Sequence, residues 1–454
     1  MREMRSKGKG KIRMEGKSST PAKTGRTVFI GLALLVFVSC TPQESTAPVE
    51  QDPVTRILKE VTVVDPAVTT RFFRFEVESE QPFDPGRLVE AGLDVAGHGA
   101  GSLVEVYQVQ NFHPYLYTQP PRGETVFRGV FQGAASVRRF LWELDALHRV
   151  AEEHQEDMEI ALTADDVWRI REAGKLALIV GLDNGEGIEE LSILRTFHRL
   201  GVRKLELVHA FPTAWADACS GSIDDDEPGL EPFGEEVVRE CNRLGIIVDV
   251  SHASDDTFWD AIRATSKPII ASHSGARSVT DAVRNLTDDQ LKALAKNDGM
   301  IAVGAYYDPA ILEPLAKTGH FEHYFRIQRY LTERYTEPYE LAVALRDPEQ
   351  IRQAREAVGA PPKAEHQSFD LGSRRITLGA TVAGTLDHID YIVNLIGIDH
   401  VGIGTDIDMR RADYIEFWRQ LTQGLLDQGY SREDIEKVLG GNFLRVFRAN
   451  SPSG

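Results

Sequence analysis

Eight short apolar runs, rich in β-branched residues and separated by stretches with helical spacing, constrain this chain more than any other feature. The runs are Val61–Val64, Leu103–Val109, Leu176–Leu182, Lys204–Val208, Ile246–Val250, Pro268–Ala271, Met300–Gly304 and His400–Gly404. Near-continuous apolar runs suit parallel strands buried on both faces. Parallel neighbours need crossover connections, and the intervening segments read as helices. Ser136 to His154 has helical apolar spacing, and Thr163-Ala-Asp-Asp166 opens another helix with a capping-box pattern. Two further helices end at Gly201 and Gly245, and two more begin at Thr287 and Ser431. This alternation predicts an α/β fold, a (β/α)8 TIM barrel over residues 58–450. The rival, a doubly wound open sheet, would carry GxGxxG after the first run, and none is there. About ninety residues separate the seventh run from the eighth, where one helix would suffice. The segment 306–380 is therefore expected as an insertion over the active-site face.

The first forty residues stand apart. Residues 1–39 hold nine Lys/Arg and two Asp/Glu; a basic stretch from Arg2 to Arg26 is followed by the apolar run Val28–Val38 and then Ser39-Cys40. The run is short for a bilayer span and has signal-peptide proportions. Ending it on Ser-Cys resembles a bacterial lipoprotein signal, in which Cys40 is lipidated and becomes the new N-terminus. An ordinary signal peptide or a single membrane anchor is the alternative. Residues 41–57, rich in Pro, Thr, Ser, Gln and Glu at their start, read as a flexible tether. The expected location is a bacterial cell envelope, lipid-anchored and facing the periplasm or exterior. The formal charge is -18, and removing the +7 of residues 1–39 would leave -25 (-18 minus 7). So acidic a body argues against nucleic acid as partner. Besides Cys40 only Cys219 and Cys241 occur. A disulfide between them can form in an oxidising envelope, but the spacing does not require it, and no CxxC-type zinc cluster is present.

In a TIM barrel the site lies at the C-terminal strand ends. The third run ends in Asp183-Asn184-Gly185-Glu186, the fourth in His209 and the fifth in Ser251-His252. The sixth ends in Ser272-His273-Ser274 and the eighth in Asp406-Ile407-Asp408. A single His beside a Ser is ordinarily a hydrogen-bonded structural residue. Three His on consecutive strand ends, with Asp on the third and eighth, are harder to explain as packing. Imidazole and carboxylate ligands are what catalytic zinc takes, with one position left open.

At this point the chain resembles the membrane (renal) dipeptidases, zinc metallopeptidases on a TIM barrel. The resemblance runs from about residue 58 to 448. It is carried by Gly229–Gly245, Val248–Ser254, Ser272-His-Ser, Arg284–Asp289, Asp387–Ile392, Gly397–Asp408 and Gly441–Phe447. It implies that His252 and His273 hold one zinc and that Asp183 falls where the family has a Glu bridging two. It further implies that His209 polarises the scissile carbonyl, that Arg284 grips the substrate carboxylate, and that Asp406 handles the proton of the attacking water. The implied substrates are dipeptides or similar small amides. A homodimer is an assembly common in that family.

The departures matter as much. After the first strand the family has Asp-Gly-His-x-Asp, whose His and Asp bind the other zinc; here the chain reads Asp65-Pro66-Ala67-Val68-Thr69. Ala67 cannot bind a metal, and Thr69 replaces a carboxylate poorly. The bridging Glu is shortened to Asp183. One Zn2+ on Asp183, His252 and His273 is therefore expected where relatives hold two. Of the remaining His, His113 follows the second run on the correct rim and His98 precedes it on the wrong one. His320 and His323 fall in the insertion, and a solvated or structural role is expected for all four. The leading expectation is a metal-dependent dipeptidase-like hydrolase. The alternative is a catalytically impaired lipoprotein of the same fold that binds peptide or cell-wall fragments, and other barrel hydrolase chemistry is a third course, since fold does not fix function.

Overall fold

The strands are β1 (Val64–Val68), β2 (Val95–Ala100), β3 (Met158–Ile160), β4 (Leu176–Leu182), β5 (Lys204–Glu206), β6 (Ile247–Asp249), β7 (Ile270–Ser274), β8 (Met300–Val303) and β9 (Val401–Ile403). Eight of them lie side by side in the order β1-β2-β4-β5-β6-β7-β8-β9, with every neighbouring pair parallel. The two ends of this order meet. Just past β9, Asp406 N donates to Ala67 O at 2.8 Å, and Thr405 N donates to Asp65 Oδ1 at 3.0 Å. The sheet is thus a nearly closed (β/α)8 barrel, as the alternation predicts. The structure, a computed structural model, describes residues 52–68, 83–100, 134–209, 212–219, 229–304, 330, 334, 348–359, 378–407, 409 and 413–451. Cys40, most of the tether, Thr69, His113, His320, His323, Asp408 and most of the 306–380 insertion lie outside these residues.

Three strand assignments differ from the sequence reading. The first strand runs Val64–Val68, so Val61, Thr62 and Val63 precede it. The second is Val95–Ala100, not Leu103–Val109, which lies outside the described residues. Its glycines hide it from a search for β-branched runs. Gly97 is there because β1 comes very close: a Cβ on it would sit 2.5 Å from the Pro66 carbonyl oxygen. His98 is corrected with it. It stands on β2 itself, in register with Val180, buried, with Nδ1 3.3 Å from Val68 O. Finally, β3 is an addition: Met158 pairs with Leu176 and Ile160 with Leu178, low on the edge of β4 that β5 takes over at Gly181.

The helix signals hold. Reciprocal capping boxes form at Thr163/Asp166, Thr287/Gln290 and Ser431/Asp434, and Gly245 caps the helix Pro232–Leu244 at φ 82°. Cys219 and Cys241 are free thiols, Cys241 buried within that helix. Among the described residues no helix is long and apolar enough to cross a membrane.

Alternation along the strands sorts the core. Val95, Ala177, Ile179, Ile247, Ile270 and Met300 join Phe443 and Phe447 of the C-terminal helix Asn442–Asn450 in one buried cluster. That helix packs on β6, β8 and β9, and its aromatic rings fill the lower barrel. Burying each such ring contributes roughly 1.5–3 kcal/mol. Above this apolar layer the interior turns polar. Lys204 is in register with Ile247 and Glu206 with Asp249, so β5 and β6 send a cation and two carboxylates to the same side as the apolar filling. Gly181, paired with Lys204, gives the long side chain room; a Cβ there would lie 3.0 Å from Lys204 Cε.

Candidate metal centre

The polar layer begins with Asp249. Its Oδ1 accepts from Ser251 N at 3.1 Å and Ser272 N at 3.0 Å, and its Oδ2 accepts from Lys204 Nζ at 3.2 Å. One carboxylate therefore ties the ends of β6 and β7 together. Lys204 is only 2 % exposed. Burial works against its charge, but the carboxylates of Asp249, Asp183 and Glu206 outweigh this and raise its pKa.

The next residues upward are the predicted imidazoles. His273 N donates to Ser251 Oγ at 3.0 Å, and Ser272 Oγ lies 2.9 Å from His273 Nδ1. With Nδ1 engaged, Nε2 is the atom turned into the site. It meets His252 Nε2 at 3.1 Å. His252 reaches this position through a left-handed backbone, φ 65°, and Asp406 likewise at φ 52°. Such a conformation costs a non-glycine residue roughly 1–2 kcal/mol and tends to be kept at functional sites. The His252 carbonyl is held by Cys219 N at 2.7 Å, and its ring stacks on His209 with centroids 4.2 Å apart. Burial, then the nearby positive charge of Arg284, drives the pKa of both His252 and His273 well below the usual range, so both rings are neutral. Two neutral Nε2 atoms aimed at one point are ready ligands for a cation.

Glu206 completes the cluster, and the sequence reading did not select it. It is 1 % exposed, with Oε1 3.7 Å from His252 Nε2 and no hydrogen-bond donor on that oxygen. An unsatisfied buried polar atom of this kind costs on the order of 1–3 kcal/mol. Burial, then repulsion from Asp249 and Asp183, pushes its pKa well above the carboxylate range. Among the described residues, two sets of ligand atoms each lie within 4.8 Å of one another: Glu206, His209 and His252, and Glu206, Asp249 and His273. Nitrogen and carboxylate oxygen donors around an orphaned buried oxygen fit a divalent metal ion. The signal for Glu206 was available in Lys204-Leu-Glu-Leu: two charged residues at alternate positions of a strand buried on both faces.

Of the other predicted residues, Asp183 stands one residue beyond β4, partly exposed, close enough for its charge to act on Lys204 and Glu206. It belongs to neither ligand set. Arg284 is buried, with Nη1 donating to Ser274 Oγ at 2.8 Å and Nη2 to His273 O at 2.9 Å, which fixes its guanidinium against the end of β7. Ala67 lies at the end of β1, as expected, and offers only its backbone.

Strand ends of a barrel that bring imidazoles and a buried carboxylate within ligand distance of one another make a candidate metal centre. The family model for Membrane dipeptidase (Peptidase family M19) matches residues 103–452, and the chain belongs to this family of metallopeptidases. Among similar proteins, Dipeptidase tcpJ of Claviceps purpurea is 31 % identical over 342 residues, 73 % of this chain and 64 % of that protein. Dipeptidase 3 of Rattus norvegicus is 28 % identical over 326 residues, 70 % of this chain and 53 % of its own length. The match thus spans less than two thirds of either relative. Among solved structures, the probable dipeptidase PvdM of Pseudomonas aeruginosa superposes with a TM-score of 0.62 at 23 % identity, covering 87 % of this chain and 97 % of the other. A metallopeptidase of Rhodobacter sphaeroides, solved with a phosphinate mimic of L-Ala-D-Ala, gives 0.60 at 20 % identity, covering 86 % and 99 %. At these identities the structural likeness speaks to the barrel alone.

Proposed function

We propose that this protein is a metal-dependent hydrolase of dipeptides or similar small amides, working with one Zn2+ at the β6–β7 end of the barrel. The observation that carries this reading is the convergence of His252 and His273 Nε2, 3.1 Å apart, beside buried Glu206 and next to Arg284. Asp183, His252 and His273 are the ligands expected from the resemblance. The zinc ion, when bound, supplies Lewis acidity and a water of lowered pKa. The protein's own groups do the rest. Arg284, anchored on β7 through Ser274 Oγ and the His273 carbonyl, is the guanidinium that the resemblance assigns to a substrate carboxylate. His209 supports the carbonyl oxygen as charge develops on it, and Asp406 takes the proton of the attacking water and returns it to the leaving amine. Metal content and hydrolysis of a dipeptide panel, measured with and without added Zn2+, test the reading. Zinc-dependent turnover that falls at least about a thousandfold in His252→Ala is expected. No turnover at any zinc level, with wild type and His252→Ala alike, overturns it; tight peptide binding without turnover would favour a binding protein.

The envelope location, the lipid on Cys40 and a homodimer belong to the same proposal. They are supported by the sequence of residues 1–57 and by the family. In a bacterial host, Cys40→Ser should move the protein from the membrane to the soluble fraction. Retention on membranes would argue for a different anchor.

A further inference from the structure

We infer that Glu206 is itself a metal ligand, and that it supplies the carboxylate this chain lost from strand one and shortened on β4. The inference rests on the reading that the site holds a metal. Glu206 is the one residue common to both ligand sets. One of the sets also contains Asp249, but both carboxylate oxygens of Asp249 are engaged, by Ser251 N, Ser272 N and Lys204 Nζ. Lys204 thereby does two things. It neutralises Asp249, and it leaves Glu206 as the carboxylate with an open oxygen. That oxygen has no donor, sits 3.7 Å from His252 Nε2 and is fully within the barrel. Glu206 shares one set with His252 and the other with His273, and those two imidazole Nε2 atoms lie 3.1 Å apart; drawn together, the three would make a two-His, one-Glu composition, which suits catalytic zinc with one position open.

The substitution pattern is coherent on this view. The end of β1 offers Ala67, a methyl group. Asp183 lies outside both ligand sets and acts on the site through its charge. A metal drawn away from β1 needs a ligand deeper in the barrel and toward β6, and Glu206, in register with Asp249, is placed there. Asp183 then serves as a positioning residue for charge and water.

Zinc binding to the metal-stripped full chain tests this. The measurements are elemental analysis, competition with a chromophoric chelator, and the visible spectrum of the Co2+ form. The variants are Glu206→Gln, Asp183→Asn and His252→Ala. Glu206→Gln should lose at least about 100-fold in zinc affinity, beyond the ten- to hundredfold typical of an outer-shell change, and should alter the Co2+ bands. Asp183→Asn should lose about tenfold or less. Metal-free Glu206→Gln should melt at or above wild type, since it removes an orphaned carboxylate; a purely structural Glu206 would show the reverse. Should Glu206→Gln fail to fold, an anomalous-scattering map of zinc-loaded wild type decides: the ion should lie about 2.0–2.2 Å from a Glu206 oxygen. Wild-type affinity in Glu206→Gln, or an ion remote from Glu206, overturns the inference while leaving the metal site. If wild type takes up no zinc, the parent reading falls as well.

Discussion

Two buried carboxylates inside this barrel invite comparison. Asp65, on β1, accepts from Ala67 N at 3.2 Å, Thr405 N at 3.0 Å, Tyr414 Oη at 2.8 Å and the Thr405 hydroxyl. Glu206, across the barrel on β5, has an oxygen that accepts nothing. Both are deep in the fold, so burial alone does not separate them. Satisfaction does. Asp65 is a clasp that closes β1 onto the β9 end, and its hydrogen-bonding capacity is consumed by the fold. Glu206 is held in reserve. On the β1 side, where the resemblance places a second metal in relatives, the carboxylate of Asp65 is consumed by hydrogen bonds to Ala67, Thr405 and Tyr414. Among the described residues, the candidate ligand groups lie on the β5–β7 side.

The largest effect expected from breaking this division is at Lys204. Lys204→Met keeps the apolar stem of the side chain but removes the cation that Asp249 Oδ2 is paired with. Breaking a buried ion pair by removing one partner typically costs about 3–5 kcal/mol. Urea unfolding of the metal-free protein should show a loss of that size. Added Zn2+ should recover more stability in Lys204→Met than in wild type, because the dication then faces uncompensated carboxylates. An equal zinc response in both proteins would mean that Lys204 does not act on the metal region.

Most of this barrel was legible in the sequence, for identifiable reasons. β4, β6, β7 and β8 sit in runs of buried β-branched or aliphatic residues, and the helix starts read at Thr163, Thr287 and Ser431 all form, the first with the capping box that its sequence predicts. The rim histidines were legible because they stand at the ends of the predicted runs, His273 within β7 and His209 and His252 just past β5 and β6. β2 was not, because the tight approach of Pro66 demands glycine where a strand signal would want Val or Ile. With β2 misplaced, His98 went to the wrong rim. Glu206 was missed for a different reason. Attention to strand ends passes over a charged residue within a strand, whose role depends on which face of the sheet it occupies. That face is fixed by register with β6, a relation between residues distant in the chain.

The smaller test of the comparison is at Asp65, and its pH dependence carries a sign. Asp65→Asn replaces an acceptor-only group by one whose NH2 would face donors. A cost of about 2–4 kcal/mol at neutral pH is expected, with hydrolysis and zinc affinity changed far less than by His252→Ala or Glu206→Gln. Burial raises the Asp65 pKa to about 6 from 3.8, against the pull of its Thr405 and Tyr414 hydrogen bonds. A group whose pKa is raised by folding stabilises fully below its unfolded value and loses that contribution as pH rises through its folded value. The Asp65 contribution should therefore be present below about pH 4 and gone above about pH 7. Between pH 5 and 7.5 wild type should lose roughly 1 kcal/mol that the Asp65→Asn variant does not lose. Subtracting the two unfolding curves removes the slopes of Asp94 and Glu206, which are raised in the same direction. A difference that grows with pH would mean that Asp65 is stabilised as the anion. In that case its hydrogen bonds outweigh its desolvation, and the clasp on β1 is stronger than burial suggests.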